Sequence, residues 1–295
     1  SKLRAVTQPS KPAARIHRGE RICIRCMERP TSVAKRLARR GPADAGEARR
    51  PRVCLVACGS VAAVKLPQII AALVDAGCDV DALLTPTARR FVESVQYSGQ
   101  TGSASLRTLQ EAHGRRLEVW YDEDEWSDYE TVGVDPVLHI ELARTCDVLL
   151  FAPLDANTLA KAALGLSDNL ASCVLRAWPY DLVQEPSAPL PRSQKPVLVT
   201  PAMNSVMWLQ NITHQHLKTL ETRGVQVIPP VSKLLACGDL GMGAMADPLA
   251  IARATRLVIE KAYPGHFPVF PPAPLSPTKT SGSSADEGEG GDGNG

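Results

Sequence analysis

Hydrophobic and polar positions follow two alternating periods along most of this chain. Arg52–Ala57 is a short apolar run that ends at Cys58-Gly59-Ser60. Val61–Asp75 then takes up helical spacing and stops at Gly77. Asp79–Leu84 predicts a second strand, closed by Thr85-Pro86-Thr87. Farther on, Asp147–Ala152 and Pro196–Thr200 are nearly continuous apolar runs, the pattern of parallel strands buried on both faces. Helical stretches are predicted at Asn157–Leu164, Asn169–Trp178 and His214–Arg223, followed by a strand at Val225–Ile228 and a closing helix at Pro248–Ala262. Alternating strand and helix predicts an α/β fold. Its form is a doubly wound, Rossmann-like or flavodoxin-like parallel sheet with helices on both faces.

Two stretches break the rhythm. Ser98–Arg116 is polar and rich in Gly and Ser, and Asp181–Gln194 contains Pro186, Pro189 and Pro191. Both are expected as surface insertions on a single domain spanning 51–263.

Charge changes the picture at the ends. Residues 1–50 hold fourteen Lys and Arg against four Asp and Glu, whereas the other 245 residues hold nineteen against twenty-seven. The basic excess therefore belongs to an arm, expected to be disordered because it lacks an apolar period. Its composition fits an organelle transit peptide, and a contact with phosphate or nucleic acid also stays open. From about Pro264 to the end the chain is Pro-rich, then Gly/Ser/acidic, and a solvated tail is expected over 264–295. No run of about 18 apolar residues exists, which excludes a membrane-spanning helix. A cytoplasmic location is expected, with organelle targeting by the arm left open.

Eight cysteines are present. Cys54, Cys58, Cys146 and Cys173 lie in apolar surroundings and read as buried free thiols. Cys23 and Cys26 form a lone Cys-x-x-Cys without a second pair, too little to predict a metal site.

Candidate chemistry gathers at the predicted strand ends. Gly59-Ser60 at a helix start offers backbone N–H groups and a hydroxyl to an anion, although Ser60 serves equally well as a cap. Thr85 and Thr87 add two hydroxyls after the second strand. Pro153–Thr158 and Ser167–Asn169 repeat amide- and hydroxyl-rich turns at carboxyl ends, where open α/β sheets bind ligands. In Asp135–Glu141, Pro136 is expected to open a helix with His139 in its first turn. The positive end of the helix dipole there favours a neutral imidazole, which can act as a base. Pro201–Trp208 clusters Met203, Met207 and Trp208 after a buried strand, which a flat ligand or a subunit contact would cover. Cys237 sits in a Gly-rich stretch suited to a closing loop.

With these motifs together, the chain resembles the homo-oligomeric flavin-containing Cys decarboxylases, over about Arg52 to Ala262. The carriers are Gly59-Ser60-Val61-Ala62, Asp135–Glu141, Pro153–Thr158, Pro201–Trp208 and Ala236–Ala246. The resemblance implies FMN as cofactor, contacted by Gly59, Ser60, Val61, Thr85, Thr87, Asp155, Asn157, Thr158 and Met203. It implies His139 as a catalytic residue and Asn204 as the grip on a substrate carboxylate. Met207 and Ala236 complete the substrate pocket, and Cys237 is the proton donor of a flap.

The implied reaction converts phosphopantothenoylcysteine to phosphopantetheine and CO₂ in coenzyme A synthesis. FMN first oxidises the S–CH₂ carbon to a thioaldehyde, which gives the departing carboxylate an electron sink. Decarboxylation leaves an enethiolate, which reduced FMN and a proton from Cys237 then convert to the aminoethylthiol. The resemblance also implies a trimer of this chain, or a heterotrimer with a paralogue, with sites between subunits. The alternative reading is a regulatory subunit of a type 1 protein phosphatase on the same fold. The low acidic count of the tail, together with the presence of His139, Asn204 and Cys237, weighs against it. A flavin prenyltransferase of similar fold is disfavoured by the Pro201–Trp208 and Cys237 motifs.

Overall fold

The computed structural model describes residues 32–40, 49–94, 96–97, 100–183, 194–234 and 240–268. In chain order its elements begin with α1 (Val33–Arg39), β1 (Arg52–Ala57), α2 (Leu66–Asp75), β2 (Asp79–Leu84) and α3 (Pro86–Ser94). The short β3 (Gln96–Tyr97) and β4 (Gln100–Thr101), α4 (Gly102–His113) and β5 (Leu117–Tyr121) follow. Next come α5 (Leu138–Thr145), β6 (Val148–Leu154), α6 (Ala156–Leu164), α7 (Leu170–Ala177) and β7 (Val197–Pro201). The series closes with α8 (Ser205–Leu209), α9 (Asn211–Thr222), β8 (Gln226–Val227), β9 (Val231–Leu234), β10 (Leu240–Ala244) and α10 (Pro248–Ala262).

Six strands make one parallel sheet in the order β5-β2-β1-β6-β7-β8. Counted along the chain this is 3-2-1-4-5-6, the doubly wound Rossmann order, with its reversal between β1 and β6. The residues explain why the sheet is covered on both sides. Val53, Leu55 and Ala57 of β1 pack with Leu66, Ile70 and Ile251 on one face. Cys54, Val56 and Cys58 alternate onto the other, with Trp120, Leu142 and Val174. In α2, Leu66, Ile69, Ile70 and Leu73 recur at helical spacing and all are buried. The chain leaves α2 through Gly77, whose φ of 88° suits the left-handed exit from a helix.

Four differences from the sequence pattern stand out. Ser98–Arg116 is not a mere surface excursion, because it contains α4, whose Leu106 is buried in the core. Leu117–Tyr121, bracketed by Arg115-Arg116 and Asp122–Glu125, is the edge strand β5, a run short enough for its charged flanks to mask it. Within the basic arm, residues 32–40 are folded and correct the expectation of disorder there. Ser32 caps α1 by accepting from Lys35 N at 3.2 Å, and Val33, Ala34 and Leu37 are buried. At the other end, Phe267 packs partly against the core, with the Arg49 guanidinium 5.4 Å over its ring. The packed domain thus extends a few residues past Pro264.

Near the amino ends of β1 and β2 lies a buried charge cluster. Asp81, wholly buried, takes Arg40 Nη1 at 2.7 Å, Arg52 Nη1 at 3.4 Å, Trp120 Nε1 at 2.8 Å and Cys146 Sγ at 3.3 Å. Burial alone would raise its pKa. Arg40 and Arg52, with the Trp120 and Cys146 hydrogen bonds, outweigh burial and hold the carboxyl below its ordinary value. Asp79, paired with Arg52 at 3.0 Å and Arg116 at 3.4 Å, goes the other way, because desolvation exceeds the pull of its cations. Cys54, Cys58, Cys78 and Cys146 are buried free thiols, whereas Cys173 is half-exposed rather than buried.

Candidate functional site

The carboxyl ends of β1, β2, β6 and β7 meet at the point where the strand order reverses. Cys58 N donates to Pro153 O at 3.0 Å and Ala202 N to Leu154 O at 2.9 Å, so the turns after β1, β6 and β7 are tied together. Gly59 is needed at this junction. A Cβ there would stand 2.8 Å from Asp155 Oδ2, closer than real Cβ atoms approach, and 3.0 Å from Thr87 Cβ, tighter than most. One missing carbon therefore lets three strand-end turns form a continuous rim.

The rim residues are held by their own caps. Ser60 Oγ accepts from Ala62 N at 3.3 Å, and Thr85 Oγ1 accepts from Ala88 N at 3.3 Å. Asp155 caps α6 by accepting from Thr158 N at 2.6 Å. Thr87 and Asn157 are exposed, and so is Val61. Thr158 is buried and hydrogen-bonds Cys58, whose thiol burial pushes up beyond reach of ionisation, so it supports the wall from behind. Exposed hydroxyl and amide groups beside an exposed apolar Val61 suit a ligand with a polar phosphorylated chain and a flat ring. FMN has that chemistry, and the rim fits it.

Past β7, Met203 N donates to Gly243 O at 3.0 Å. Gly243, at φ 122°, lies so close that a Cβ would be 2.3 Å from Met203 O. The hairpin β9–β10 is thereby anchored on the Met203-Asn204 turn, and the loop joining its strands carries Ala236 and Cys237, both outside the described residues. Asn204 Oδ1 accepts from Met207 N at 2.8 Å. That bond fixes the amide orientation, leaving the exposed NH₂ as a donor for an anion. The neighbouring Ser205 Oγ is buried without a hydrogen-bond partner among the described residues. Met207 is exposed.

His139 belongs to a second cluster. It occupies the first turn of α5, as expected, although the helix begins at Leu138 rather than Pro136. Glu125 grips it twice: Oε1 lies 2.6 Å from Nδ1, and Oε2 accepts the backbone N–H at 3.2 Å. A carboxylate at Nδ1 orients the ring and favours the tautomer that carries its proton on that nitrogen. Glu125 is itself buried and ends a 3₁₀ turn, Asp122–Glu125. Asp122 accepts from Leu170 N at 2.7 Å at the start of α7, and Asp124 closes the turn on Tyr121 N at 2.8 Å. Sequence gives Glu125 one signal, the Asp-Glu-Asp-Glu run, and such a run ordinarily reads as a solvated face. Among the described residues the hydrogen bonds of His139 lead to Glu125 and none to the Gly59–Asp155 rim.

A Rossmann-type sheet whose polar turns converge at its switch point, with a carboxylate-held histidine at the same edge, is the α/β architecture that binds nucleotide-like ligands. The chain belongs to the Flavoprotein family, whose model matches residues 43–259. It is 41% identical over 212 residues to a phosphopantothenoylcysteine decarboxylase of Arabidopsis thaliana, covering 72% of this chain and 87% of that protein. Against the mouse phosphopantothenoylcysteine decarboxylase the identity is 39% over 216 residues, covering 73% and 90%. Among solved structures it resembles a PPC decarboxylase mutant complexed with pantothenoylaminoethenethiol, with a TM-score of 0.60 at 41% identity, over 72% of this chain and all of that one. The FMN-binding protein AtHal3 gives a TM-score of 0.58 at 41% identity, over 72% and 98%.

Proposed function

We propose that this protein decarboxylates phosphopantothenoylcysteine to phosphopantetheine, with FMN held in the crevice, as a step of coenzyme A synthesis. The observation that carries this reading is the convergence of the Gly59, Asp155 and Met203-Asn204 turns at one switch point. The relatives named as decarboxylases of that substrate, and the neighbour named as binding FMN, support it. When bound, FMN supplies the reversible two-electron oxidation that a simple aliphatic carboxylate needs before it can lose CO₂.

The chain's own residues have separate tasks. Ser60, Val61, Thr85, Thr87 and Asn157 line the cofactor crevice, Asp155 and Thr158 shape its wall, and Met203 borders it beneath the hairpin. Asn204 donates its free amide N–H to the substrate carboxylate, while Met207 and Ala236 exclude water from that pocket. His139 receives a proton at Nε2, and Glu125 holds the ring so that this nitrogen faces outward. The Cys237 thiol returns a proton to the decarboxylated product.

Among the described residues no hydrogen bond joins His139 to the crevice, and exposed apolar side chains flank both. Trp126 and Ile140 stand exposed near His139, and Val206 and Leu209 near Asn204. We propose that copies of the chain associate as a homotrimer, so that one copy's His139 completes a neighbour's crevice.

The test is the visible spectrum of purified protein, followed by product analysis. Stoichiometric flavin absorbance, with CO₂ and phosphopantetheine formed from the substrate, is the expected result. Colourless protein that gains no flavin absorbance on incubation with FMN would overturn the cofactor assignment.

A further inference from the structure

We infer that Arg36, on the N-terminal helix α1, is a positioning residue for His139, acting through the acidic turn that carries Glu125. The inference rests on the reading of His139 as the base, but the tautomer readout of its test does not.

The turn Asp122–Glu125 places four carboxylates in succession, and like charges so close repel unless cations or donors hold them. On the buried side that cation is Arg36. Its Nε lies 2.6 Å from Glu118 Oε1 and its Nη1 2.8 Å from Asp124 Oδ1, while Nη2 donates to Val119 O. The guanidinium also stacks 3.9 Å over the Trp120 ring. One planar fork thus ties strand β5 to the turn that follows it, which a flexible ammonium does not do equally well. The outer carboxylate, Glu123, meets Arg89 at 3.2 Å on the surface.

From Asp124 the path to the imidazole is a single residue. Asp124 is clamped between Arg36 and Tyr121 N, and the next side chain, Glu125, holds His139 at Nδ1 and at its backbone N–H. The helix that supplies Arg36 is itself pinned. Val33 N donates to Asp128 Oδ2 at 2.7 Å, just past the turn, and Arg40 enters the Asp81 cluster. Helix α1 precedes residues 43–259, the stretch matched by the family model. The flavoprotein frame therefore receives support here from outside its matched span.

The experiment uses the full chain with bound flavin and three variants. Arg36→Met keeps the stem and removes the donors, Arg36→Lys keeps the charge without the fork, and Arg40→Ala loosens the same helix at its other anchor. Histidine-selective ¹⁵N resonances report the tautomer of His139, and amide exchange reports the turn. Arg36→Met is expected to convert a single Nδ1–H tautomer into a mixture, speed exchange over residues 121–126 and lower kcat about tenfold, with KM moving less than twofold. Arg36→Lys should recover part of each effect. Arg40→Ala should lower the melting temperature while the tautomer and kcat stay as in the parent. If Arg36→Met fails to fold, Arg36→Lys gives the same reading on a smaller scale. A wild-type tautomer and kcat in a destabilised Arg36→Met would overturn the inference and leave Arg36 as a structural strap. If His139→Asn keeps full turnover, the proposed base is wrong, and positioning is then judged on the tautomer alone.

Discussion

The crevice and the histidine cluster lie at the same edge of the sheet but are built in opposite ways. The crevice is made of turns: Ser60 caps the 3₁₀ helix Val61–Lys65, and Thr85, Asp155 and Asn204 each cap the helix that begins beside them, through bonds spanning two or three residues. The histidine cluster is made of long-range contacts. Glu125 reaches His139 across fourteen residues, Asp122 reaches Leu170 across forty-eight, and Arg36 reaches Asp124 across eighty-eight. A ligand platform can be encoded locally because parallel strands deliver their ends to one place. An oriented base has to be held from several directions, and no single stretch of chain can do that.

The largest effect that would break this contrast is at His139. Replacement by Asn keeps a short polar side chain in the first turn of α5 but removes Nε2. We expect kcat to fall by about 10²–10⁴-fold, the range for losing a positioned acid–base group, with flavin content and melting temperature nearly unchanged. Steady-state CO₂ release and flavin absorbance measure both. Undiminished turnover would make His139 a structural histidine satisfied by Glu125, and the two regions would no longer be parts of one site.

The same contrast decides how much was legible from sequence. The strands β1, β6 and β7 declare themselves as apolar runs because both of their faces are buried, and β2 is legible from the Ala82-Leu83-Leu84 run that follows its two aspartates. The rim residues follow from turn chemistry at their ends, and the Gly59 junction is consistent with the small residue expected at a close approach. Strand β5 is harder, since its five residues alternate Glu118 among apolar neighbours and run directly into four acidic ones. Helix α1 is hidden for a related reason. Its apolar content is only Val33, Ala34, Leu37 and Ala38, and what docks it is Arg36 and Arg40 meeting Glu118, Asp124 and Asp81 far along the chain. A charged residue reads as solvent-facing until the fold supplies its partner. Glu125 carries no local mark of its role for the same reason.

The next effect sharpens the comparison from the far end of the sheet. Removing Arg40 strips the wholly buried Asp81 of its nearest cation, and breaking a buried pair in this way costs on the order of 3 kcal/mol. The sign with pH follows from the depressed pKa of Asp81. Its ionised form stabilises the fold above its unfolded value of about 3.9, and that contribution disappears as pH falls through the folded value. Arg40→Ala should therefore be clearly less stable than the parent at neutral pH. The gap should narrow on acidification, as the carboxyl protonates and no longer needs its partner. Chemical denaturation at several pH values measures it. A gap that is constant from neutral to acid pH would mean that Arg40 acts through packing of α1 alone.

The smallest change separates the two tasks of one residue within the crevice. Asn204 uses Oδ1 as a helix cap toward Met207 N, which leaves only its NH₂ for the substrate. Asn204→Asp keeps the capping oxygen, and Asn and Asp are nearly equal caps, so stability should change by only a few tenths of a kcal/mol. The donor, however, becomes a carboxylate oxygen facing the carboxylate of the substrate. Losing a charge-assisted hydrogen bond costs about 1.5–3 kcal/mol, and like-charge repulsion adds to it. KM for the carboxylate substrate should therefore rise by at least about tenfold, while binding of the decarboxylated product, phosphopantetheine, is unaffected. Asn204→Ala provides the complementary measurement, because it removes both functions. It should cost about 1 kcal/mol of stability through the lost cap and weaken the substrate without repelling it. If Asp and Ala raise KM equally and phosphopantetheine binding falls in parallel, Asn204 is a cap that shapes the turn and something else grips the carboxylate. The orphaned hydroxyl of Ser205, one residue on and without a partner among the described residues, would then be the group to replace next.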